Sequence, residues 1–98
     1  MKVQKIEELL LSAKEALVKK NIERSIELFT KALKIDPENF SAIFSRGTSY
    51  FLTNQYQEAL DDFTRGISLK SDSSRLYCSR GNTYLALNQT DSALNDLN

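Results

Sequence analysis

The sequence predicts an all-helical protein, an α-solenoid in which short helix-turn-helix units stack in one direction. Three observations carry this. Apolar residues recur every three or four positions, the spacing of an amphipathic helix. Short polar breaks interrupt that pattern at regular intervals. Finally, the chain matches itself at a shift of 34 residues: Ser45 to Asp62 lies on Ser79 to Asp96, and nine of those eighteen pairs are identical. A fixed period of this length is the signature of a stacked repeat architecture.

The elements follow in order. Ile6, Leu9, Leu10, Ala13, Ala16 and Leu17 form the apolar stripe of a first helix over roughly 3–19. The break Lys19-Lys20-Asn21 precedes a second stripe, Ile22, Ile26, Phe29, Ala32 and Leu33, over 22–35. Asp36-Pro37 stops that helix, because proline disfavours helical geometry in the residue before it. Helices at 40–53 and 56–69 flank the break Asn54-Gln55, and helices at 74–87 and 90–98 flank Asn88-Gln89. Between them, Ser71-Asp72-Ser73-Ser74 reads as a turn and helix cap. The units are 6–39, 40–73 and a shortened 74–98, read together as one domain over 1–98.

Composition removes most enzyme chemistry. The 98 residues contain no histidine, one cysteine, three glycines and 13 basic against 13 acidic side chains. Without histidine there is no imidazole acid–base catalysis, Ser-His-Asp triad or His-ligated metal. A lone Cys78 closes no disulfide within the chain and builds no thiolate cage. Gly47, Gly66 and Gly81 stand too far apart for a phosphate-binding loop. The zero charge balance gives no chain-wide attraction to nucleic acid or anionic membrane, and the longest early apolar run, Leu9-Leu10-Leu11, is too short for a leader or a span. The expectation is a non-enzymatic protein without cofactor or metal, not binding nucleic acid or membrane, located in the cytoplasm or, alternatively, the nucleus.

On these residues the chain resembles the tetratricopeptide repeat family. The resemblance rests on Leu9, Ala13, Ala16, Ser25, Phe29, Ala32 and Pro37 in the first unit and Ile43, Gly47, Tyr50, Tyr56, Ala59, Phe63 and Gly66 in the second. In the third it rests on Tyr77, Gly81, Tyr84 and Ala93. It implies a right-handed superhelical stack. Small residues let paired helices approach, with Ala13/Ser25, Gly47/Ala59 and Gly81/Ala93 expected at the close contacts. Departures are Ser25 for the usual alanine, Ala16 for a large aromatic and Ser71 for the closing proline. The third unit stops at Asn98, so Leu94 and Leu97 lack cover, and the chain is expected to be the N-terminal part of a larger scaffold or adaptor.

The resemblance also implies a concave groove, lined by the first helix of each unit, that binds a peptide or helix. The positions it implies are Glu7, Leu10, Lys14 and Leu17; Ser41, Phe44, Thr48 and Phe51; and Arg75, Cys78, Asn82 and Leu85. Nine are the expected partner-binding residues: Leu10, Lys14, Leu17, Phe44, Thr48, Phe51, Arg75, Cys78 and Asn82. Spacings of three and four keep each set on one helical side. Phe44 and Phe51 would form an apolar floor, favouring an apolar partner whose binding responds weakly to salt. The family's carboxylate clamp, which holds the C-terminal carboxylates of heat-shock chaperones, expects Lys, Asn, Asn, Lys and Arg; here those columns hold Leu10, Lys14, Ser45, Arg75 and Ser79. A co-chaperone with a degenerate clamp is therefore an alternative, as is assembly or self-association through the 90–98 helix.

Arg46 and Arg80 resemble a basic pair for an anionic ligand, yet Asp62 and Asp96 follow each sixteen residues later, and the first unit has Ser12 and Leu28 in the same columns. Joint presence and joint absence predict an ion pair within each repeat. Cys78 is expected to be a small, partly buried hydrophobe.

Overall fold

The computed structural model describes residues 2–97, with side chains from Lys5 onward, so Asn98 lies outside the described residues. It contains six helices: α1 (Lys2–Val18), α2 (Ile22–Ile35), α3 (Phe40–Leu52), α4 (Tyr56–Leu69), α5 (Ser74–Ala86) and α6 (Thr90–Leu97). These reproduce the expected elements within one residue at every described boundary. Each helix packs on its neighbours in the chain, and α3 also touches α5, so the molecule extends along the stacking direction to 44 × 26 × 17 Å.

Every α1-type helix ends in the same way. Lys20, Asn54 and Asn88, spaced by the 34-residue period, hold φ of 63°, 63° and 62°. In the second unit the Asn54 N–H donates to the Phe51 carbonyl and the Gln55 N–H to the Tyr50 carbonyl, at 3.0 and 2.8 Å; Lys20/Asn21 and Asn88/Gln89 repeat both bonds at the same lengths. This left-handed cap satisfies the orphan carbonyls and reverses the chain within two residues. Asparagine tolerates the left-handed region, whereas lysine carries the full clash of its Cβ there. Helix starts are capped more variably. Asn21 and Asn39 accept hydrogen bonds from Arg24 N and Ala42 N, at 3.4 and 3.0 Å, while Gln55 and Ser73 make no side-chain cap bond.

Within each unit, a small residue on the first helix meets a large one sixteen positions on. A Cβ added to Gly47 would stand 2.8 Å from the Phe63 ring and 3.1 Å from Asp62 Cβ, and one on Gly81 would stand 2.7 Å from Leu97 Cγ. In the direction a side chain would take, these glycines thus face Phe63 with Asp62 and Leu97 with Asp96. Ala13 and Phe29, both wholly buried in one cluster, are the counterparts in the first unit. Ring and glycine face each other because a ring so large needs the room that a missing side chain leaves.

Between units the junctions differ in chemistry. In the α2–α3 junction the buried hydroxyls of Ser25 and Ser49 lie 3.2 Å apart, with the carbonyls of Ile22 and Ser45 also in reach, so one serine donates across the junction while the other donates to its own helix. The serine that departs from the family pattern thus has a partner. One period later the same positions hold Ala59 and Thr83, both buried. Likewise Ala32 and Ala42 are replaced by Gly66 and Leu76, whose side chain would meet a Cβ on Gly66 at 3.1 Å. On α6 Leu94 and Leu97 are 51% and 41% exposed.

Two stability outcomes follow. Gly47→Ala should lose up to about 2 kcal/mol in urea denaturation, because overpacking of about 1–3 kcal/mol exceeds the helix-propensity gain of about 1. Gly66→Ala should lose less, since the flexible end of Leu76 can shift. Lys20→Gly should raise the melting temperature, because relief of about 1–2 kcal/mol of left-handed strain exceeds the roughly 0.5–1 kcal/mol of chain entropy that glycine costs; an unchanged or lower value contradicts the strain at Lys20.

Candidate functional site

Stacking the three first helices side by side creates a concave face, and three depressions run across it. The first, about 430 Å³, is bordered by Lys14 and Leu17 of α1, by Phe40, Ser41, Phe44, Ser45 and Thr48 of α3, and by Ser73 and Arg75. A second of similar size is bordered by Phe44, Thr48, Ser74, Arg75, Cys78 and Ser79. The third, about 100 Å³, reaches inward at Thr48, Phe51, Phe63, Ser79 and Asn82. Thr48 borders all three, and Phe44 and Arg75 border two, so the depressions form one trough.

The trough gathers Lys14, Leu17, Phe44, Thr48, Phe51, Arg75, Cys78 and Asn82 of the nine residues named from the sequence. Leu10 is not among its bordering residues: it packs against the buried cluster of the first helix pair. Glu7 and Leu85, also on the implied helical sides, lie outside its border too. Cys78 is exposed rather than partly buried. Phe40, Ser41, Ser45, Phe63, Ser73, Ser74 and Ser79 complete the border. A signal for Ser41, Ser45 and Ser79 existed in the column pattern, while Phe40, Ser73 and Ser74 belong to the loops and first turns that helical periodicity does not place.

The floor is aromatic and its rim cationic. Phe44 stands edge-on to Phe63 with ring centroids 6.1 Å apart, Phe40 tilts against Phe44 at 6.2 Å, and Phe51 meets Tyr56 edge-on at 5.3 Å. Arg75 Cζ lies 5.2 Å from the Phe44 centroid and Lys70 Nζ 4.6 Å from that of Phe40, within cation–π range. The expected apolar floor at Phe44 is thus partly roofed by a guanidinium, an arrangement that residue spacing along one helix does not reveal.

Arg46 and Arg80 take no part in the trough. Arg46 donates from Nε and Nη2 to the two carboxylate oxygens of Asp62 at 2.8 and 2.7 Å, and from Nη1 to Thr30 Oγ1 at 3.3 Å. Arg80 grips Asp96 in the same two-pronged way at 2.7 and 2.8 Å. Both pairs join helices of one unit, as expected. The hydrogen bonds to the carboxylates raise each guanidinium pKa above its ordinary value, outweighing the lowering effect of burial. For a cation with a raised folded-state pKa, stabilisation is complete below the unfolded value and lost only as pH climbs through the folded one, so no ordinary pH deprotonates the arginine side. Arg80 also lies between Tyr77 and Tyr84, 5.6 and 5.7 Å from their centroids.

Comparison with known proteins agrees with this architecture. Tetratricopeptide-repeat family profiles match residues 10–39 and 74–98 in one case and 28–61 in another, and the chain belongs to the tetratricopeptide repeat family. Over 50 residues it is 48% identical to Superkiller protein 3 of Schizosaccharomyces pombe, a stretch covering 51% of this chain and 4% of that relative's length. The second TPR of Spaghetti (RPAP3), solved bound to the HSP90 peptide SRMEEVD, superposes with a TM-score of 0.89 at 25% identity, covering 95% of this chain and 86% of that one. MamA superposes with a TM-score of 0.89 at 24% identity over 93% of this chain and 53% of its own, which shows the shared fold.

Removing Arg46 leaves the carboxylate of Asp62, whose side chain is 7% exposed, buried without its cation. Arg46→Ala should therefore cost about 2–3 kcal/mol in urea denaturation, below the range for a fully buried pair because Arg46 is partly solvated. The double change Arg46→Ala with Asp62→Ala should cost less than the two single changes added together.

Proposed function

We propose that the chain is a non-enzymatic interaction module that binds an extended peptide or helix in the trough across α1, α3 and α5, within a scaffold or adaptor. The observation carrying this reading is the continuity of the trough: three successive units contribute side chains to one concave surface, with Thr48 common to all of its parts. The likeness to a TPR solved with a bound peptide supports it. In this reading the binding residues are Lys14, Leu17, Phe44, Thr48, Phe51, Arg75, Cys78 and Asn82, the repeats are 6–39, 40–73 and 74–98, and the place of action is the cytoplasm or nucleus. Among the described residues no helix is long and apolar enough to cross a membrane.

Recognition of a chaperone tail is the weaker form of the same reading. Of the five clamp columns, Leu10 offers no donor and packs on the core of the first unit, so one end of the clamp is missing. A second reading, assembly through α6, rests on the exposure of Leu94 and Leu97. Sedimentation of the isolated chain separates it from peptide binding.

Selection of random peptides displayed on phage against the whole chain tests the trough. The enriched peptide should bind Phe44→Ala more weakly by about 1–3 kcal/mol, the range for an aromatic anchor. It should lose at least about tenfold in affinity with Thr48→Tyr, a change that fills the trough where its parts meet. If Thr48→Tyr retains full affinity with its fold intact, the trough is not the binding surface.

A further inference from the structure

The neutral balance of the chain conceals a segregated charge. Among the side chains bordering the trough none is acidic, and two, Lys14 and Arg75, are basic. These two, distant in sequence, border the same depression of about 430 Å³, one from α1 and the other from the first turn of α5. The ion pairs among the described residues join Arg24 to Glu27, Arg46 to Asp62 and Arg80 to Asp96, so neither Lys14 nor Arg75 is neutralised by a carboxylate within 4.0 Å. The contact of Arg75 with the Phe44 ring consumes none of its N–H donors.

Hydroxyl donors complete the surround. Ser41 and Ser45 come from α3, and Ser73 from the turn before α5. Ser73, at the positive end of the α5 dipole, makes no side-chain cap bond, so its hydroxyl is not spent on the helix. A carboxylate brings one charge and two acceptor oxygens, whereas a phosphomonoester brings about −1.5 to −2 charges and three acceptor oxygens near neutral pH. Two cations with hydroxyls on several sides fit the second.

We propose that this depression takes a phosphorylated serine or threonine side chain within an extended peptide, its phosphate held by Lys14 and Arg75 while a neighbouring apolar side chain rests on Phe44 and Leu17. The proposal rests on the peptide-groove reading and names what that groove selects. It replaces the expectation of a ligand insensitive to salt, because the two cations border one depression only once the helices are stacked.

Three synthetic peptide libraries, amidated at the C-terminus and degenerate around a fixed central phosphoserine, serine or glutamate, are passed over the immobilised 98-residue chain. The phosphoserine library should be retained at least about tenfold more strongly than either of the others. That excess should vanish with Lys14→Ala or Arg75→Gln, survive partly in Arg75→Lys, and fall steeply as salt is raised. Lys14 and Arg75 are exposed, and circular dichroism verifies that the variants fold. Equal retention of the serine library, lost in Thr48→Tyr, overturns the phosphate assignment and leaves the groove reading standing. Equal retention of the glutamate library puts an ordinary acidic peptide in its place. Indifference to Lys14 and Arg75 overturns the location, and failure to retain any library overturns both readings.

Discussion

The close approach of the two helices in each unit governs everything else in the molecule. Gly47 admits the Phe63 ring, Gly81 admits Leu97, and Ala13 shares a buried cluster with Phe29. Because Phe63 sits at that depth, it also presents an edge to Phe44 on the concave side. The aromatic floor of the trough is therefore the outer surface of the same contact that holds the pair together. Asp62 next to Phe63 is drawn in with it, which is why its charge must be met by Arg46 beside Gly47. A buried ion pair is a costly way to hold helices, but its two-pronged geometry fixes their rotation about one another.

The concave face divides its tasks by helix. α3 supplies most of the floor, α1 contributes Lys14 and Leu17, and α5 brings Arg75 across from the other side. Arg75 rests on Phe44 with its N–H donors left free, so the guanidinium and the ring stand side by side on one surface.

Much of this fold is legible in the sequence because its determinants are local and periodic. The 34-residue shift, the stripes and the polar breaks locate all six helices, and the joint presence of Arg and Asp in two units identifies their ion pairs. The site is less legible. A helical side spans a wide arc, so Leu10 and Leu17 share spacing and both pack on the core, yet Leu17 also borders the trough and Leu10 does not. Phe40 and Ser73 lie at a helix start and a turn, where periodicity carries no information. Lys20 conceals the left-handed cap that Asn54 and Asn88 advertise, because lysine has no preference for that conformation. Ser25 looks like a flaw in the pattern until Ser49, on another helix, is seen to answer it.

The unlike junctions give the stack an addressing system. The second helix of the first unit carries Ser25 and Ala32, fitted to Ser49 and Ala42; that of the second carries Ala59 and Gly66, fitted to Thr83 and Leu76. Chains made of similar modules risk docking out of order while folding. Were α2 to settle on α5, skipping the middle unit, the methyl of Ala32 would stand where even a Cβ crowds Leu76. The mismatch is small, because the end of Leu76 can shift, so it disfavours the wrong docking without forbidding it. Order along the chain is thereby biased by the size of a few buried side chains.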